Sequence, residues 1–236
     1  MAREKIFRFK KFSVLNDKTA MKVGTDGVLL GAWCNVSEAK RVLDVGTGSG
    51  VIALMIAQRN NDATIYGIDI DGDSVEEARF NFKNSPWSDR LSAEMFDFND
   101  FKAVLSYDLI VSNPPFFTNG RLPPNSSREQ ARHNTSLTFS QLISHSAELL
   151  SPRGVLAFIA PAENIDEIRR AVVVENFYVS RLAYVVPVEG DSPKRIMIEI
   201  GREDVATTAE TIIIQSINHE FTPDYVNLTR EFYLKM

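Results

Sequence analysis

The sequence predicts an α/β fold built as one domain. Apolar strand-like runs alternate with helical patterns along most of the chain. One strand-to-helix joint is a glycine-rich loop of the kind that admits a nucleotide. At 236 residues, 44% hydrophobic and 24% charged, the chain suffices for one full core and falls short of two generous domains.

Taken in order, Phe7, Phe9, Phe12 and Val14 suggest a short hairpin, and Thr25 or Asp26 is placed to cap an apolar helix over 27–33. Residues 1–36 thus read as a hairpin-and-helix lid on a catalytic core spanning 37–236. A strand over 41–45 and a helix over 51–59 flank the loop Gly46-Thr47-Gly48-Ser49-Gly50. A strand ending at Asp69, a helix over 73–84, and strands over 91–95 and 108–111 follow. Residues 119–135 read as a polar loop, 138–150 as a helix, 154–160 as a strand and 163–174 as a helix. The strands over 178–186 and 195–201 are joined by a turn with Gly190 and Pro193, too short for a helical crossover, so this pair should be antiparallel. A strand over 211–215 and a short helix around 224–234 complete the pattern.

The glycine loop departs from the dinucleotide fingerprint, because the third glycine of that pattern would fall at position 51, where the chain has Val51. Asp44, just before the loop, is awkward beside an anionic diphosphate and suits a ligand carrying an ammonium and a sulfonium, as S-adenosylmethionine does. Asp69 stands where a carboxylate accepts from both hydroxyls of a ribose, a placement that NAD would also want. Asp97 and Phe98 are candidates for the adenine end, one as acceptor for its amine and the other as a packing ring.

Asn113-Pro114-Pro115-Phe116 follows an apolar strand that runs into the ligand crevice. Consecutive prolines fix φ and remove two backbone donors, which leaves acceptors for other work. The Asn113 side-chain oxygen and the Pro114 carbonyl together suit the two hydrogens of a planar amine, and Phe116 offers a ring face for a flat base or amide. An amine held this way keeps its lone pair exposed for attack. The motif alone leaves the acceptor open among an adenine, guanine or cytosine amine and a glutamine amide.

The rest of the chain sets boundaries. No run of 18 apolar residues and no signal peptide is present, so the expectation is a cytoplasmic protein with no membrane partner. The lone Cys34 has no Cys or His at metal spacing; it reads as a buried small residue, and no metal is expected. The net charge of −5 opposes nonspecific nucleic-acid binding, yet Arg3, Lys5, Arg8, Lys10, Lys11, Lys18 and Lys22 cluster near the N-terminus. Those side chains, and Arg121, Arg128 and Arg132 after the proline motif, are candidate phosphate contacts or a solvated face. His133 is a candidate for stacking on or hydrogen-bonding a base.

Asp44-Val45-Gly46-Thr47-Gly48-Ser49-Gly50 together with Asn113-Pro114-Pro115-Phe116 resembles the class I S-adenosylmethionine-dependent methyltransferases that modify exocyclic or amide nitrogens. Four further segments are similar to the bacterial family that methylates adenine-37 of a valine tRNA at N6. They are Ala20-Met21-Lys22-Val23-Gly24-Thr25-Asp26-Gly27, Ser85-Pro86-Trp87, Arg128-Glu129-Gln130-Ala131-Arg132 and Phe232-Tyr233-Leu234. The resemblance implies a Rossmann-like, mostly parallel sheet of seven strands with the last antiparallel and helices on both faces. It also implies a donor site of Asp44, Gly46, Gly48, Gly50, Asp69, Asp97 and Phe98, with Thr25 and Asp26 closing over it, and tRNA as partner. That family commonly has Tyr where this chain has Phe116, so any hydrogen bond from that hydroxyl is absent. The sequence sets no oligomeric state.

Overall fold

Strands that are apolar on both sides need cover on both sides. The computed structural model describes residues 5–19, 21–114 and 137–236. An antiparallel hairpin of β1 (Ile6–Arg8) and β2 (Ser13–Leu15) leads to α1 (Thr25–Trp33), β3 (Arg41–Val45), α2 (Val51–Arg59) and β4 (Thr64–Asp69). Next come α3 (Gly72–Lys83), β5 (Leu91–Met95) and β6 (Tyr107–Ser112). Beyond residue 136 lie α4 (Phe139–Leu149), β7 (Leu150–Pro161), α5 (Ile165–Val174), β8 (Tyr178–Val188), β9 (Arg195–Gly201), β10 (Thr208–Gln215) and α6 (Pro223–Thr229).

The sheet runs β10-β8-β9-β7-β6-β3-β4-β5. Strands β3 to β7 pair in parallel, and β9 is antiparallel to both of its neighbours, β7 and β8. The expectation of seven strands with the last antiparallel is corrected here. Eight strands are present, the antiparallel one is interior, and β10 adds to the outer edge parallel to β8. The physical reason lies in the length of β8, whose free side from Arg181 to Val188 offers unpaired backbone groups that β10 satisfies. Exposed Thr208, Glu210 and Thr211 then give the outer edge polar side chains.

Two apolar clusters lie on opposite faces of the sheet. Val42 of β3 packs with α1, α2 and α3, whereas Leu43 and Val45 pack with α4 and α5. Helix α1 is a core helix, buried from Gly27 to Trp33. Its N-cap is Gly24, with no side-chain cap, so the capping expected of Thr25 or Asp26 is not found. Both are inside the first turn, and the Asp26 carboxylate is drawn instead to Arg195, 2.8 Å away. Cys34 is fully buried, and desolvation pushes its thiol up to about 12, so it stays neutral.

The N-terminal segment is tied to α3 by two side chains on the helix's buried face. The Glu77 carboxylate accepts from the amides of Asp17, Lys18 (2.9 Å) and Thr19 (3.0 Å). Asn81 accepts from the Leu15 amide at 2.7 Å and donates to the carbonyls of Leu15 (2.9 Å) and Ser49 (2.8 Å), which joins the hairpin to the glycine loop. Burial acts to raise the Glu77 pKa, but the amides and the Thr19 hydroxyl outweigh it and hold the carboxyl below its ordinary value of 4.5. Its stabilisation is therefore present above pH 4.5 and is lost as pH falls through the lowered value. Replacing Glu77 with Ala strands buried amides, so Glu77→Ala is expected to cost about 2–4 kcal/mol in chemical denaturation. A loss under about 0.5 kcal/mol would mean that the segment is held by other contacts.

Candidate active site

In open α/β sheets the ligand crevice lies outside the carboxyl ends of the strands where the strand order reverses. That point is β3, which pairs with β4 on one side and β6 on the other. Four strand ends meet there: the glycine loop follows β3, Asp69 closes β4, Asp97 follows β5 and Asn113 follows β6. The Ser112 hydroxyl donates to the Val45 carbonyl at 2.9 Å and locks the end of β6 to the end of β3.

A cavity of about 210 Å³ runs along these ends, lined by Gly46, Gly48, Asp69, Asp97, Phe98, Asn113 and Pro114. An adjoining cleft of about 510 Å³ shares Gly46, Gly48 and Asn113 with it and adds Thr25, Asp26 and Arg195. Most of the residues singled out from sequence are thus brought together. Asp44 and Gly50 stand behind the walls rather than in them. Pro115, Phe116, Arg121, Arg128, Arg132 and His133 lie outside the described residues, as does Arg3.

The loop is held by the amides of Gly46 and Thr47, which both donate to the Ile68 carbonyl at 2.9 Å, and by the Gly48 amide, which donates to Asp69 Oδ2 at 2.9 Å. Asp69 Oδ1 accepts from the Asp71 amide at 2.9 Å. The carboxylate keeps acceptor capacity beyond these bonds for a ligand. Desolvation raises the Asp69 pKa, and the amides of Asp71, Gly48 and Ile70 oppose that rise. Asp97 caps a short turn over Phe98–Asp100 by accepting from the Asn99 amide at 2.9 Å, which fixes Phe98 as a buried wall.

Asp44 has no exposed surface; its Oδ2 accepts from the Thr47 hydroxyl at 2.8 Å, and its Oδ1 has no hydrogen-bond partner among the described residues. Burial raises its pKa to about 7, against the Thr47 hydrogen bond that lowers it. Asn113 is similarly polarised: Nδ2 approaches Met21 Sδ at 3.5 Å, and Oδ1 is buried with no partner among the described residues. A stranded buried acceptor is costly. The side chain lines the cavity and the adjoining cleft, where a ligand could supply the missing donor.

Several cleft residues escaped the sequence reading. Thr19, Met21, Ile70, Ser74 and Phe96 also line the cavity: Ile70 and Phe96 directly follow β4 and β5, Ser74 is in the first turn of α3, and Thr19 and Met21 come from the chain ahead of α1. Glu77 and Asn81 had a usable signal, a polar pair at i and i+4 on the face that also carries Val75, Ala78 and Phe82. The basic N-terminal cluster is largely engaged: Lys5 pairs with Asp17 at 2.5 Å, Lys18 with Glu76 at 2.9 Å, and Lys22 donates to the Asp17 carbonyl at 2.8 Å. Exposed pairs of this kind are weak enough to exchange for phosphate.

The fold and the crevice together define a class I methyltransferase. The methyltransferase small domain family matches residues 23–173. A tRNA1(Val) (adenine(37)-N6)-methyltransferase from Phocaeicola vulgatus is 42% identical over 98% of both chains. One of the same name from Tolumonas auensis is 37% identical over 98% of this chain and 97% of its own. The chain belongs to the family of these methyltransferases. Among solved structures, a predicted O-methyltransferase from Agrobacterium tumefaciens shares the fold with a TM-score of 0.70 at 19% identity, over 88% of this chain and 96% of its own. A TehB-like SAM-dependent methyltransferase from Corynebacterium glutamicum does so with a TM-score of 0.50 at 14% identity, over 76% and 89%.

Proposed function

We propose that this protein methylates the N6 amine of adenine-37 in a valine tRNA, using S-adenosylmethionine as donor. The observation that carries the chemistry is the unpartnered, buried Oδ1 of Asn113 at the end of β6, next to a glycine-loop cavity. The names of the relatives select the acceptor among the amines this corner could hold. Among the described residues no helix is long and apolar enough to cross a membrane, and no cluster of His, Cys, Asp or Glu is placed to hold a metal. A tRNA substrate makes the cytoplasm the proposed place of work.

The crevice fits the donor on three counts. Cβ atoms at Gly46 and Gly48 would meet essentially open space, so the loop's backbone is free for a ligand to approach. Asp69 has acceptor capacity for ribose hydroxyls, and Asp97 with Phe98 would take the adenine. Asp44 beneath the loop supplies buried negative charge for a cationic ligand. Thr25 and Asp26 would cover the donor from the adjoining cleft. When bound, S-adenosylmethionine supplies a methyl carbon made electrophilic by its sulfonium.

The chain's own residues supply orientation and charge stabilisation. Asn113 Oδ1 and the Pro114 carbonyl accept the amine's two hydrogens and turn the nitrogen lone pair outward. Their hydrogen bonds strengthen as positive charge develops on that nitrogen, the electrostatic inverse of an oxyanion hole. The amine then gives up a proton to water, so no general base is assigned. Phe116 is the proposed stacking ring for an adenine drawn out of its neighbours, and Arg128, Arg132 and His133 are proposed RNA contacts. The test is transfer of labelled methyl to unmodified tRNA, followed by nucleoside mass spectrometry. N6-methyladenosine at position 37 is expected; label on a protein amide or another base would overturn the assignment.

Asp44 makes donor binding pH-dependent. Its folded-state value of about 7 lies above the ordinary 3.8, so the group favours the fold below pH 3.8, and that contribution is lost as pH rises toward 7. A cationic donor favours the ionised acid, so binding expels a proton and tightens as pH rises through about 7. Calorimetric affinity is expected to weaken by up to ~10-fold per unit below that point and to level off above it. Asp44→Asn should flatten the profile; an unchanged profile would assign the titration elsewhere.

A further inference from the structure

A separate pocket of about 680 Å³ shares Gly24 and Thr25 with the methyl-transfer cleft. Its volume falls within the ~300–1,000 Å³ of small-ligand sites. Phe7 of β1, Phe221 and Tyr225 at the start of α6, and Tyr233 beyond it supply aromatic walls. These walls are fixed by backbone contacts: Phe9 bridges Tyr233, the Lys10 amide donates to the Phe232 carbonyl at 2.8 Å, and Gln215 bridges Phe221. Phe221 nevertheless remains 50% exposed, with only its contact to Tyr225, ring centroids 5.2 Å apart, among the described aromatic pairs. Arg8 and Lys235 bring positive charge to the same pocket.

Rigid aromatic faces combined with cations are the pattern that binds single-stranded nucleic acid, because rings stack on bases and cations meet phosphates. An apolar partner would make no use of the positive charge. We infer that this pocket takes a second unpaired nucleotide of the RNA that delivers its adenine to Asn113, with the base stacked on Phe221 and its phosphates facing Arg8 and Lys235. This rests on the RNA-acceptor reading above. It gives a chemical role to two segments marked by the resemblance, the one holding Gly24 and Thr25 and the one holding Tyr233, which converge on one cavity from opposite ends of the chain.

The test uses the full chain, a fluorescent anticodon stem-loop RNA and the variants Phe221→Ala and Lys235→Glu, both at exposed positions. Phe221→Ala is expected to weaken RNA binding about tenfold, with S-adenosylhomocysteine affinity and kcat at saturating RNA near native. Lys235→Glu should weaken RNA binding in the same sense. One abasic position in the loop should cost the native chain about as much as the phenylalanine does, and cost Phe221→Ala little more. Native RNA affinity in both variants, or abasic losses equal in native and variant chains, would overturn the pocket while leaving the methylation reading intact. RNA binding that depends on Phe221 without methyl transfer would keep the pocket and sink the acceptor. A native chain that neither binds nor methylates RNA rejects both.

Discussion

Asn113→Ala is expected to lower turnover by roughly 10²-fold or more, by analogy with removal of one donor from an oxyanion hole, while leaving donor affinity nearly native. The side chain ends at a cleft wall, and its Oδ1 has no partner among the described residues, so truncation removes an acceptor and breaks no hydrogen bond of that oxygen. The approach of Nδ2 to Met21 Sδ at 3.5 Å disappears as well, and a thioether is a weak acceptor. Stability should therefore change little. The loss should fall on kcat, because the acceptor matters most once the nitrogen carries positive charge. Asn113→Asp keeps an acceptor oxygen in place and should retain more activity than the alanine variant. Single-turnover kinetics at saturating donor and tRNA measure the step directly, and an alanine variant with native turnover would remove Asn113 from the chemistry.

Gly50→Ala carries the largest expected loss of stability. Gly50 sits at φ +81°, where a residue with a Cβ costs roughly 1–2 kcal/mol. A Cβ there would also stand 2.4 Å from the edge of the Phe82 ring, which is 2% exposed and enclosed by core neighbours. Overpacking of that kind adds about 1–3 kcal/mol, so about 2–5 kcal/mol in total is expected from urea denaturation. Gly190 is the control: its φ is +92°, but nothing lies within 4 Å of the added atom, so Gly190→Ala should show the strain alone. Equal losses at the two positions would mean that the Phe82 ring yields without cost.

Much of the fold was legible because local and global signals agree. The strand over 41–45, the glycine loop and the helix over 51–59 match β3 and α2 residue for residue, since turn glycines and apolar runs leave one arrangement open. The residue pattern also contained eight sheet strands; the count of seven came from the resemblance, and β10 is the strand it left out. What could not be read was long-range pairing. Asp26 had two local roles open to it, and its partner Arg195 lies on a strand far along the chain. Within the site, Asp44, Asp69, Asp97 and Asn113 were singled out because each lies at or just beyond the carboxyl end of a strand, where sheet geometry places ligands, and all but Asp44 line the cavity. Glu77 left its signal in the polar pair it forms with Asn81 on a buried helical face, whereas Met21 was not singled out because its place beside Asn113 is a long-range contact that no periodicity encodes.

The hydroxyl link from Ser112 to Val45 has a mechanical meaning. It joins the end of β6 to the end of β3, so the proposed floors of the amine and of the donor cannot slide against each other while the sheet is intact. Adjustment must then come from above, where Thr19 and Met21 hang on a strap fastened to α3. A new acceptor could be admitted by re-tailoring that strap, with the geometry of transfer left as it stands.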